Sequence, residues 1–181
     1  QIADAFDKIE IVGASSMDIE ICKSKTGKNY VEYYDTDDWT SHVDVKDHVL
    51  KFTTDDKGTH KAVVSLGFGK DTAARLYLAD VEYKEISVTT LSGYVTIQDV
   101  NAETVNVSAS SGDIDLESCD AEKFDITTSS GDVDMEITAG RTYRFETKTN
   151  SGAVDVPDGD ADSGYLCKIV TSSGDVDVKQ K

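Results

Sequence analysis

Ser-Gly steps recur five times in the second half of this 181-residue chain, each between two short alternating apolar runs. They are Ser92-Gly93, Ser111-Gly112, Ser130-Gly131, Ser151-Gly152 and Ser173-Gly174, at intervals of 19, 19, 21 and 22 residues. Four positions travel with each glycine: seven and five residues before it, two and four after it. Nineteen of these twenty positions are apolar, and the twentieth is Thr147. A fixed period near twenty residues marks a stacked array, because one such unit cannot bury its apolar face alone.

Within a repeat the polarity alternates, as in Thr104 to Ala109 and again in Asp113 to Leu116. That is the period of a strand with one buried face. Ser-Ser-Gly between the runs supplies a turn in which glycine can take a positive φ. A second corner falls near Ala102, Ala121 and Gly140, where only small side chains stand. Each repeat therefore predicts two short strands and two corners, stacked so that equal positions lie about 4.8 Å apart. A hairpin meander would favour Asn-Gly or Asp-Gly turns and has no reason to keep one period. The expected fold is all-β, a parallel β-solenoid of two-strand coils over residues 81–181. An irregular N-terminal β cap over residues 1–80 is expected to continue into it as one domain.

In that first region Ile9-Glu10-Ile11 and Ile19-Glu20-Ile21 read as one irregular coil around Gly13-Ala14-Ser15-Ser16. Tyr30 to Tyr34, His42 to Val45 and Val49 to Phe52 read as antiparallel strands, with turns at Thr36-Asp37-Asp38 and Asp55-Asp56-Lys57-Gly58. The period resumes at Ala74 to Leu78. Such a cap keeps an open strand edge from pairing with another chain. At the other end Val178 is followed by Lys179-Gln180-Lys181, read either as charges blunting an open edge or as a cut from something longer.

One proline and thirteen glycines argue against a collagenous or disordered chain, and no run approaches the ~20 apolar residues of a membrane span. A chain starting at Gln1 reads as a mature or trimmed product. Cys22, Cys119 and Cys167 show no paired spacing and read as buried small hydrophobes. A net charge of −17 repels phosphates, so a nucleic-acid partner is disfavoured.

The unit Thr127-Thr128-Ser129-Ser130-Gly131-Asp132-Val133-Asp134 resembles a bacterial family of candidate adhesins built from β-strand repeats, a domain family of unknown function. Phe6-Asp7-Lys8-Ile9-Glu10-Ile11 and Leu76-Tyr77-Leu78 resemble its other landmarks, although Ala79 stands where such chains often carry proline. The resemblance covers nearly the whole chain. It implies an extracytoplasmic, secreted or cell-surface β-repeat protein, and it brings no catalytic residues.

The acidic residues carry the chemistry in view, 17 against 7 basic ones over residues 101–181. Asp113, Asp132 and Asp175 follow the repeat glycine by one residue; Asp115, Asp134, Asp155 and Asp177 follow it by three. Stacking makes the second set a column of like charges, which opposes pairing unless relieved. A calcium ion would relieve it, carboxylates being suitable hard ligands, yet the calcium-roll repeat needs a nine-residue period that is absent. A solvated acidic face that keeps the protein soluble is the plainer reading.

Other constellations are weaker. His42 and His48 beside Asp44 and Asp47 have no recognised ligand spacing. Leu66-Gly67-Phe68-Gly69-Lys70 lacks the Ser or Thr of a phosphate loop and reads as a turn. Ser110, Ser129 and Ser172 read as corner hydrogen-bonding residues, and Trp39 with Tyr30, Tyr33 and Tyr34 as fill for the cap core. The expected function is therefore a non-enzymatic adhesin or binding scaffold whose partner is a surface glycan or protein. The alternatives are a polysaccharide-active β-helix enzyme and a calcium-stabilised accessory protein of envelope stress. Tight corners, with Pro157 to Gly164 the largest insertion, weigh against an enzyme cleft.

Overall fold

Ile86 lies opposite Val105 and Val88 opposite Val107, all four buried, while Ser87, between Ile86 and Val88, and Thr89, after Val88, face outward. The alternation seen in the sequence thus forms strands with one buried face. The structure, a computed structural model, describes residues 1–13, 16–35, 39–57 and 73–181. The loop 66–70 lies outside the described residues, as do Ala14, Ser15, Thr36 to Asp38 and Gly58.

Among the described residues there are fifteen strands and no helix. They are β1 (Lys8–Val12), β2 (Ile19–Lys23), β3 (Tyr30–Glu32), β4 (Trp39–Lys46), β5 (Val49–Asp56), β6 (Ala74–Leu78), β7 (Glu82–Ser92), β8 (Val95–Gln98), β9 (Asn101–Ser111), β10 (Ile114–Thr127), β11 (Val133–Ile137), β12 (Arg144–Lys148), β13 (Val154–Asp155), β14 (Leu166–Val170) and β15 (Val176–Gln180). All join one curled sheet with two layers. The first layer runs β4-β5-β1-β7-β9-β10-β14-β12, and the second β3-β6-β2-β8-β10-β11-β15-β13. Strand β10 serves both layers. It bends at Ser118, whose φ is 52°, beside a register shift between Leu116 and Cys119.

The sheet is mixed: β3 runs antiparallel to β6 and β4 antiparallel to β5, in the cap segments read as antiparallel strands, although β5 also runs parallel to β1. The other pairings are parallel, which gives the array its solenoid-like form. The reversed strands lie at one end, where they cover the β5 and β6 edges.

Stacking order also departs from chain order, at both ends. The pass β1/β2 lies between β5/β6 and β7/β8, and the last pass, β14/β15, lies between β10/β11 and β12/β13. The C-terminal lysines therefore do not blunt an edge: Lys179 sits opposite Glu136, and Lys181 forms an ion pair with the same Glu136. The outermost pass is the fourth repeat. Its Val154 is 43% exposed, and Phe145, Thr147 and Val156 are only half-buried, whereas the other repeats' inward residues are buried. A threonine is tolerated in the inward pattern because it stands at the rim.

The insertion from Pro157 to Gly164 folds over this rim. Asp160 donates its N–H to the Tyr143 carbonyl at 2.9 Å, the Ser163 hydroxyl donates to Thr142, and Gly159 packs against the Phe145 ring. One apolar core runs from Ile9 to Val178. At the second corner Tyr83, Ala102 and Ala121 stand in register, and the Tyr143 hydroxyl donates to the Ala121 carbonyl at 2.6 Å. Small residues fill the middle of that corner, and tyrosines whose hydroxyls find carbonyl partners fill its ends.

Candidate functional site

The aspartates after the repeat glycines are part of the backbone's hydrogen-bonding. Asp113 accepts the Asp132 N–H at 2.9 Å, Asp132 accepts the Asp175 N–H at 2.7 Å, and Asp175 accepts the Ala153 N–H at 2.7 Å. Asp18 does the same for Tyr94 at 2.9 Å. Each carboxylate thus ties its own corner to the next in the stack. Asp18 was not recognisable from the sequence, since its pass lies outside the regular period. The carbonyls of Ser110, Ser129 and Ser172 accept from the N–H groups of Ser130, Ser173 and Ser151. These serines act at the corner through the backbone, and the side-chain ladder is made of aspartates.

The second aspartate set does form a column, in the order Asp115, Asp134, Asp177, Asp155. With Glu117, Glu136 and Lys179, Asp115, Asp134 and Asp177 line an open groove of about 160 Å³ on the second layer. Burial, followed by the charges of Glu117, Asp134 and Glu136, raises the Asp115 carboxyl above the usual 3.8. The hydrogen bond from Lys181, helped by Ser118, lowers Glu136. Among the described residues no three His, Cys, Asp or Glu side chains are arranged to hold a metal ion. The corner carboxylates Asp113, Asp132 and Asp175 are already engaged by backbone N–H groups.

A different surface covers the middle of the first layer. Ser87, Asn106 and Asp125 stand in register in one row, Thr89, Ser108 and Thr127 in the next. Together they line a groove of about 250 Å³ with Val88 and Val107 on its floor. Asn106 donates to Glu85 at 3.1 Å, and Asp125 is flanked by Lys123 and Lys168 at 3.3 and 3.4 Å. Further along the face, ion pairs replace small polar residues: Lys51 with Glu10, Lys8 with Glu85 and Arg144 with Glu146. These rows are readable in the sequence as the residues six and four before each repeat glycine. Their small size carries no motif, so they did not stand out.

The remaining candidates are structural. His42 contacts Asp55 at 3.2 Å and His48 occupies the β4–β5 turn with Asp47, both at positive φ, so the four residues do not converge. Tyr30 stacks on Tyr77 with 4.3 Å between ring centroids, Tyr33 meets the Phe52 ring edge-on, and Trp39 packs on the core. Tyr34 is exposed. Cys119 and Cys167 are buried, and burial pushes both thiols up to about 12; Cys22 is half-buried and also raised. No helix among the described residues is long and apolar enough to cross a membrane.

Comparison with solved structures shows the same fold in a candidate cell adhesion protein from Clostridium sporogenes. The TM-score is 0.66 and the identity 18%, with 98% of this chain and 94% of that chain covered. A candidate adhesin from Bacteroides fragilis aligns over 98% and 93% at 17% identity and a TM-score of 0.41. A candidate lipid binding protein from Parabacteroides distasonis aligns over 98% and 94% at 12% identity and a TM-score of 0.31. No curated protein matches the chain. The repeat, the capped two-layer stack and a family match over residues 6–181 agree, and the chain belongs to the Toastrack DUF4097 family.

Proposed function

We propose that this chain is a non-catalytic binding module displayed outside the cytoplasm at a bacterial surface. In this reading the successive passes are coils of a solenoid, β3 and β4 cap one end, and the flat outer faces meet a surface glycan or protein. The observation that carries it is the employment of the polar groups. The corner carboxylates hold backbone N–H groups, and the serines beside them hold the backbone of neighbouring passes. Among the described residues, the polar groups that remain free are spread over broad faces and shallow open grooves. The adhesion name of the Clostridium sporogenes neighbour agrees with this role, although fold alone does not carry function.

Incubation with bacterial and host polysaccharides tests it. Binding without turnover supports the module; release of reducing ends, abolished by changing one carboxylate, overturns it. The enzyme is the second reading because Asp115 and Glu136 share a groove with opposite pKa shifts, as an acid–base pair requires.

A further inference from the structure

We propose that the middle of the first layer binds an uncharged carbohydrate chain, laid across the strands along the stacking direction. The proposal rests on the binding-module reading and assigns its face and the chemistry of its ligand. Three features of that face point the same way.

First, the charge distribution selects against ions. The acidic column occupies the second layer, whereas on the first Ser87, Thr89, Asn106, Ser108 and Thr127 make a patch of uncharged side chains whose one charged lining residue, Asp125, is compensated by Lys123 and Lys168. Ion pairs border this patch, Glu10 with Lys51 on one side and Asp125 with Lys168 on the other. An anionic chain is repelled by a protein of net charge −17, and a cationic one is drawn to the acidic column instead. A neutral ligand is the one this patch matches.

Second, the groups are those that recognise sugar hydroxyls. Thr89, Ser108 and Thr127 present hydroxyls that both donate and accept. Asn106 spends its amide N–H on Glu85 and keeps its carbonyl oxygen as an acceptor. Two such rows side by side on the 250 Å³ groove can meet neighbouring hydroxyls of one ring.

Third, the spacing and the apolar ends suit a chain of rings. The hydroxyl row spans three passes, about 10 Å from Thr89 to Thr127 at the spacing of paired strands. Val12 precedes it and Val170 follows it in the same register, Val12 being 37% exposed. Pyranose rings have apolar C–H faces as well as hydroxyl rims, so apolar contacts at both ends of a hydroxyl row complement them.

The test uses isothermal titration of the whole chain with neutral hexasaccharides of glucose, mannose and N-acetylglucosamine, beside polylysine and polygalacturonate. Ser108→Arg fills the groove centre from an exposed position, and Asp134→Asn serves as the control on the opposite layer. We expect at least one neutral hexasaccharide to bind, Ser108→Arg to weaken it tenfold or more, and Asp134→Asn to leave it unchanged. If Ser108→Arg melts earlier than wild type, the pair Thr89→Ala and Thr127→Ala replaces it, with loss of binding again expected. Unchanged binding in a folded groove variant overturns the assignment of the face while the binding module stands. Failure of all three neutral probes at millimolar concentration overturns the carbohydrate assignment. Binding of polylysine alone, abolished by Asp134→Asn, would do the same and move recognition to the acidic layer.

Discussion

Asp113 and Asp132, nineteen residues apart in the chain, are joined by a 2.9 Å hydrogen bond from the Asp132 N–H to the Asp113 carboxylate. Asp132 in turn accepts from Asp175, so one side chain per pass secures the next corner. Asp132→Ala leaves the Asp175 N–H without its carboxylate, a loss comparable to removing a helix cap, about 1 kcal/mol. Asp132→Asn keeps an acceptor and should cost less. Denaturant titrations of both variants check the order; equal losses would assign the effect to charge rather than to the hydrogen bond.

Glycine at the same corner is required by backbone contact. Gly112 has φ +116°, and a Cβ there would overlap the carbonyl oxygen of Gly93. Gly27 has φ +68° with open space around it. Gly27→Ala should cost about 1 kcal/mol of backbone strain alone. Gly112→Ala should cost well over ~2 kcal/mol, because the strand spacing must also yield. Thermal melts of the two variants separate strain from collision.

Asp115 gives the acidic groove a pH signature. Its folded pKa is raised above 3.8, so the folded state binds the proton more tightly than the unfolded chain does. The ionised carboxylate therefore opposes folding above its folded pKa, and the penalty fades as pH falls through that value towards 3.8. Asp115→Asn should raise the melting temperature at neutral pH, with the gain vanishing below 3.8. Melts across the acid range show this directly. A gain that persists in strong acid would mean that packing, not charge, is responsible.

The exchanged order of the last two passes is testable by cross-linking. Ser173 is bridged to Ser130 on one side and Ser151 on the other. Paired strands bring Cα atoms to about 4.8 Å, inside the range a disulfide can span. Ser130 and Ser151 lie two spacings apart, about 10 Å, beyond that range. Oxidation of the Ser130→Cys/Ser173→Cys and Ser151→Cys/Ser173→Cys variants should give internal cross-links, and Ser130→Cys/Ser151→Cys should give none. Peptide mapping under non-reducing conditions reads the result; a cross-link in Ser130→Cys/Ser151→Cys with none in Ser130→Cys/Ser173→Cys would restore stacking in chain order.

For the column Asp115, Asp134, Asp177 and Asp155, screening of like charges is the expected effect of a divalent ion. Calcium and magnesium at equal ionic strength should then raise the melting temperature alike. An additional, chelator-reversible rise with calcium alone would establish a site there.

Much of this protein was legible in the repeat. Ile86, Val105, Phe124 and their counterparts were placed inward by a period of two within a period near twenty, and burial of apolar area enforces that choice. Asp115 and Asp134 were placed in one outer column by the same register. Local spacing could not say which pass neighbours which. Ser173 fits beside Ser130 as well as beside Ser151, because every repeat offers the same edge, and the chain between them can reach either place. Tertiary packing decided the order: the fourth repeat, with Thr147 inward and a loop to cover Phe145, takes the rim, and the more apolar fifth is sealed inside. The antiparallel run of the cap strands was legible in the sequence, but which edges they cover, β6 for β3 and β5 for β4, was decided by the assembled sheet, a property that no single strand contains.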